Sequence, residues 1–198
     1  MVQYYDTEKN CENPKIAIIC NDDVEEFFGL HVLKKNGNRI FDISKSSMPE
    51  RYDYDVRIIG QAPWGENYNR TVEVKNDIIS KRTGNAAFEW KCKGKPSGLS
   101  VTKAFYWLHI VRHNGQFMFL IDTVDNIKRL VRELKHKTVS NAGNTDLYTE
   151  VDLVKIDLLL EKIKKVWWTI DNPTDDESLL RAVEKMPEFI DWDLQNIF

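Results

Sequence analysis

The sequence predicts an α/β chain in which a mixed central β-sheet of about five strands is flanked by helices. Three features carry that expectation. Several short runs alternate apolar and polar residues with period two, as in "RTVEVK". An Asn114-Gly115 pair sits between two apolar runs, the signal of a tight hairpin. One segment, "NIKRLVRELKHK", places Ile127, Leu130, Val131 and Leu134 at helical spacing. At 198 residues, with 42% hydrophobic and 30% charged residues, the chain is long enough for one sizeable core.

Taken in order, "KIAIIC" (Lys15 to Cys20) suits a buried strand. "NDDVEEFFGLHVLKKNG" then suits a helix capped by Asn21 or Asp22 and stopped at Gly37. "YDVRIIG" (54–60) reads as a strand, "QAPWGENYN" as a loop, and "RTVEVK" (70–75) as a strand with Val72 and Val74 on one face and Glu73 and Lys75 on the other. A polar connection, "NDIISKRTGN", leads to a third strand, "AAFEWKCK", and then to a Gly/Pro loop, "GKPSGLS". "TKAFYWLHIV" and "FMFLIDT" are the arms of the Asn114-Gly115 hairpin. Asp125 is the expected cap of the helix that follows, whose outer face carries Lys128, Arg129, Arg132 and Lys135. "DLVKIDLLLEKIKKVWW" is apolar enough for core, but its pattern does not separate strand from helix. From Pro173 onward, Leu179, Leu180 and Val183 suggest an amphipathic helix with an acidic tail. The expected organisation is a main domain over 1–170 and an acidic C-terminal helical extension over 171–198.

Charge is unevenly distributed. The whole chain carries −3, yet residues 171–198 hold eight acids against Arg181 and Lys185, so the rest is net positive. Between Lys75 and Lys103 seven basic residues face only Asp77 and Glu89, a patch able to meet phosphate. Cys11, Cys20 and Cys92 have neither the number nor the spacing of a disulfide framework or a zinc site. His31, His109, His113 and His136 likewise show no zinc spacing, and no phosphate-binding Gly-rich loop or nucleophile elbow is present. The pairs Tyr106-Trp107 and Trp167-Trp168 read as core. No run reaches the roughly 18 apolar residues of a membrane span, and "MVQYYDTEKN" lacks a secretory pattern; no membrane partner and an intracellular location are expected.

One constellation points to chemistry. Phosphodiester hydrolysis by a hard divalent cation needs carboxylate oxygens to hold the ion and a cationic group beside the water. "RYDYDV" supplies Asp53 and Asp55, and "VEVK" supplies Glu73 and Lys75 on one face of the next strand. A second E-x-K, Glu89 and Lys91 in "FEWK" with Asp77 upstream, competes with it. Ser97, Thr102 and Lys103, in and just after the Gly-rich loop, with Lys91, Lys93 and Lys95 before it, are candidate contacts to a DNA phosphate.

The ordered set "YDYDV", "VEVKND", "TGNAAFEW" and "GKPSGLSVTKA", spanning about Asp53 to Trp107, resembles the PD-(D/E)XK nuclease superfamily, and within it a group of small phage and bacterial endonuclease-like proteins. The resemblance implies a restriction-endonuclease-like fold and a Mg²⁺-dependent DNA endonuclease, with Mn²⁺ as a substitute ion. It places the catalytic set on Asp55, Glu73 and Lys75, with the Val74 carbonyl completing the metal shell of Asp55 and Glu73. Asp53 competes with Asp55, and Glu25, Glu26 and Glu89 are accessory acids. It also implies a homodimer in some branches and a cytoplasmic setting in a bacterial or phage-infected cell. The alternatives are a catalytically silent nuclease-fold module that binds DNA or protein, and a structure-selective, junction-resolving nuclease.

Overall fold

A computed structural model describes residues 39–42, 53–61, 65–77, 80–140, 149–163 and 165–171, with residues 178, 181, 182 and 185. The expected first strand, the helix after it with Glu25 and Glu26, and the helical extension with Leu179, Leu180 and Val183 lie outside the described residues.

The structure is α/β with a mixed sheet. Among the described residues ten strands form two sheets, where the sequence suggests one sheet of about five. The strands are β1 (Arg39–Asp42), β2 (Val56–Gln61), β3 (Asn67–Asp77), β4 (Asn85–Cys92), β5 (Lys95–Pro96), β6 (Tyr106–His113), β7 (Gln116–Thr123), β8 (Lys137–Ser140), β9 (Glu150–Lys155) and β10 (Lys165–Asp171). The larger sheet runs β1-β2-β3-β6-β7-β10 and the smaller β5-β4-β9-β8. Only β3 and β6 pair in parallel among the described strands. A parallel pair needs a crossover. Here the crossover carries α1 (Ser80–Thr83), β4 and β5, which is why the "AAFEWKC" run forms the nucleus of the second sheet.

Local chemistry explains most boundaries. Asn114 and Gly115 take φ values of 50° and 77°, the two left-handed positions of a type I′ turn, so β6 and β7 close as a two-residue hairpin. Asp77 ends β3 and caps α1: its Oδ1 accepts the Ser80 N–H at 3.0 Å. The helix α2 (Val124–Leu134) is capped not by Asp125 but by Thr123, whose hydroxyl accepts the Asn126 N–H at 3.3 Å. Asp125 lies in the first turn instead, where its charge complements the helix dipole. The ambiguous apolar stretch resolves into β9, the helix α3 (Ile156–Lys162) and β10. The expected loops are shorter than the sequence suggests, since β3 begins at Asn67 and "GKPSGLS" contains β5 and a 3-10 turn at Gly98–Ser100.

One core lies between the larger sheet and the layer formed by the smaller sheet with α2 and α3. Phe88 from β4, Trp107 and Val111 from β6, Leu130 from α2 and Leu159 from α3 meet there. This packing fixes which face of β3 is which. Val72 and Val74 are fully buried on the opposite face with Leu108 and Ile110. Glu73 stands beside Trp107 and Lys75 beside His109 in the parallel register, so strand alternation puts both charges on the face that meets the second layer. That face is not the wet side of the sheet.

Candidate active site

Three backbone features bring the acids together. Asp55 precedes β2, and its N–H donates to the Val72 carbonyl at 3.1 Å. Ladder pairing of β2 with β3 ends at Val56–Val72, so the next residues of β3 face the Asp55 side chain instead of a strand. The Val74 N–H donates to Asp55 Oδ2 at 2.8 Å. In a strand the carbonyl of a residue points to the same side as its N–H, so the Val74 carbonyl shares this edge.

Lys75 Nζ then lies 3.1 Å from Glu73 Oε1 and 3.8 Å from Asp55 Oδ2, with side-chain exposures of 32%, 12% and 19% for Lys75, Glu73 and Asp55. Two carboxylates separated by 18 positions thus converge on one cation. No protein-family model, curated protein or solved structure matches the chain.

Burial pushes the Glu73 carboxyl above its ordinary value. The Lys75 ammonium opposes that most strongly, the neighbouring Asp55 charge adds to it, and hydrogen bonds from Lys75 and Thr102 lower it again. Hard carboxylate and carbonyl oxygens are donors of the kind that Mg²⁺ takes. Among the described residues no group of three or more His, Cys, Asp or Glu side chains surrounds a single point. The donors at hand are Asp55, Glu73 and the Val74 carbonyl.

Asp53 and Asp55 do not share a strand face, because both precede β2. The Asp53 carboxylate turns to Lys103 Nζ, at 3.0 and 3.1 Å from its two oxygens, and only Asp55 reaches Lys75. The hydroxyl of Thr102 lies 3.0 Å from Glu73 Oε2 and 3.1 Å from the Asp53 carbonyl, while the Ser97 hydroxyl donates to Glu89 Oε1 at 2.6 Å. Both hydroxyls, expected from sequence to meet phosphate, have carboxylate partners within the chain. No short-range pattern signals this, since Thr102 lies 29 and 49 positions from the groups it touches.

The second E-x-K is not assembled in the same way. A register shift between Glu89 and Lys91 breaks the alternation of β4, and Lys91 Nζ pairs across the sheet with Glu150 at 2.8 Å. Asp77, besides capping α1, accepts the Ala87 N–H on its Oδ2 at 2.8 Å, and the same oxygen lies 3.7 Å from His109 Nε2. Lys93 and Lys95 are exposed around the β4–β5 turn, whose Lys93 and Gly94 both have positive φ. His109 is buried and its Nδ1 accepts the Trp107 indole N–H at 3.0 Å, and His113 pairs with Asp157 at 2.7 Å. Tyr106 and Trp107 are core, as their apolar context suggests. No helix among the described residues is long and apolar enough to cross a membrane.

Proposed function

We propose that this chain is a Mg²⁺-dependent DNA endonuclease of restriction-endonuclease-like fold that hydrolyses phosphodiester bonds. The observation that carries the reading is the convergence of Asp55 and Glu73 on the Lys75 ammonium. Two hard acids beside one amine form the smallest side-chain set that holds a divalent cation and orients a water.

Asp55, Glu73 and the Val74 carbonyl would hold Mg²⁺, or Mn²⁺ in its place. When bound, the ion stabilises the charge that develops on the phosphoryl oxygens and acidifies a water. Lys75, held by Glu73, donates a hydrogen bond that orients the attacking oxygen and stabilises its developing negative charge. The water attacks phosphorus in line with the 3′ oxygen. The phosphorus–3′-oxygen bond breaks, the 3′ oxygen gains a proton, a water proton is released, and a 5′ phosphate remains. The exposed Lys93 and Lys95, with Lys81 and Arg82 on α1, supply positive charge along which a phosphate backbone can lie.

The test is nicking of supercoiled plasmid by the full chain in Mg²⁺, by the same protein in EDTA, and by Lys75→Ala in Mg²⁺. Cleavage only in the first is the expected result, and equal activity in all three removes the proposal. DNA binding without cleavage, and with no rise in melting temperature on adding Mn²⁺, would instead identify a nuclease-fold binding module.

A further inference from the structure

Each acid of the pair has one oxygen held by a neutral donor. Asp55 Oδ2 is held by the Val74 N–H, and Glu73 Oε2 by the Thr102 hydroxyl. The first anchor is backbone and any sequence could supply it. The second is a side chain, 7% exposed, on the segment just before β6. We infer that Thr102 is a positioning residue of this site: its hydroxyl fixes Oε2 of Glu73 and so turns Oε1 towards Lys75 and the space shared with Asp55. The inference rests on the metal-site reading above and adds to it a residue outside the acid-acid-lysine set.

Hydrogen-bond accounting assigns the proton. Thr102 Oγ1 has one hydrogen to donate and two acceptors in reach, Glu73 Oε2 at 3.0 Å and the Asp53 carbonyl at 3.1 Å. The Asp53 carbonyl already accepts the Lys103 N–H at 2.8 Å. Oγ1 itself accepts the Ala104 N–H at 3.2 Å, which aims its hydrogen away from that amide. A carboxylate is the stronger acceptor, so the hydroxyl belongs to Glu73. The same two-residue segment holds the turn that delivers Asp55, through the Lys103 N–H and the ion pair of Lys103 with Asp53. Thr102 and Lys103 therefore tie both acid-bearing segments to the start of β6.

Calorimetric titration of the full chain with Mn²⁺ tests this on wild type, Thr102→Val and Thr102→Ser, with cleavage followed over the same range of Mn²⁺ concentration. Thr102→Val keeps shape and loses the hydroxyl; Mn²⁺ affinity is expected to fall about 10- to 100-fold, the usual cost of removing a group that orients a metal ligand. Half-saturation of cleavage should move by the same factor, and Thr102→Ser should bind within about twofold of wild type because it restores the donor. Should the valine variant fail to fold, Thr102→Ala against Thr102→Ser carries the same comparison. A hydroxyl-free variant that binds Mn²⁺ as wild type does, whatever its melting temperature, overturns the inference and leaves the nuclease reading intact. A wild-type protein that takes up no Mn²⁺ overturns the nuclease reading and the inference with it.

Discussion

Two E-x-K segments lie on strands β3 and β4 of the same chain, and only the one on β3 brings a second carboxylate, that of Asp55, to its lysine. On β3 the alternation is intact, Glu73 and Lys75 share a face at 3.1 Å, and the strand outruns its partner so that Asp55 can turn in beside them. On β4 the irregularity at Trp90 breaks the alternation. Glu89 then takes the Ser97 hydroxyl, and Lys91 reaches across to Glu150. Gly98, at φ +51°, packs so closely on Glu89 that a Cβ there would sit 2.8 Å from the Glu89 carbonyl oxygen. The same three-letter pattern gathers a second acid only where the strand carrying it is regular and its neighbour stops short.

The sharpest way to break this comparison is to neutralise each acid in turn. Asp55→Asn and Glu73→Gln should each lower Mg²⁺-dependent plasmid cleavage by about a thousandfold or more, the scale of losing a main source of transition-state charge stabilisation, with circular dichroism unchanged. Lys75→Ala should cost about a hundredfold in the same assay, within the range of a group that positions or activates a water. Gly98→Ala tests the architectural half. Its close contact and positive φ should cost about 1–3 kcal/mol of unfolding free energy, read in denaturant melts.

The pH dependence of stability tests the burial of Glu73. Burial raises the pKa of Glu73 above its ordinary value of 4.5, so between that value and the folded pKa the folded protein binds more proton at Glu73 than the unfolded chain does. Stability linked to Glu73 is thus full below pH 4.5 and declines as pH rises through the folded pKa. Glu73→Gln should melt higher than wild type at neutral pH, with the gap closing as pH falls to 4.5, and a constant gap would contradict the burial argument. The smallest effect belongs to Glu89→Gln: cleavage within about threefold of wild type and stability changed by about 1 kcal/mol, the net worth of one hydrogen bond. If Glu89→Gln were as damaging as Glu73→Gln, the second strand would have to join the site.

How much of this was legible beforehand depends on the range of the signal. The β6–β7 hairpin, the amphipathic α2, the mixed α/β class and the shared face of Glu73 and Lys75 all follow from patterns within a few residues. The division into two sheets did not, because nothing local says that "AAFEWKC" pairs with residues 150–155 rather than with β3. The choice of Asp55 over Asp53 turned on where β2 begins and on Lys103, which lies about fifty positions away. The burial of the charged face of β3 came from the second layer packed on it.

By itself, then, the sequence determined the inventory: which residues can bond a hard cation, which strand holds two of them in register, and where the turns fall, since periodicity and turn chemistry act over a few bonds. Tertiary structure alone decided which acid meets which. A carboxylate's partner is set by contacts between segments far apart in the chain, and two identical local patterns diverge as soon as one strand loses its alternation and the other loses its neighbour.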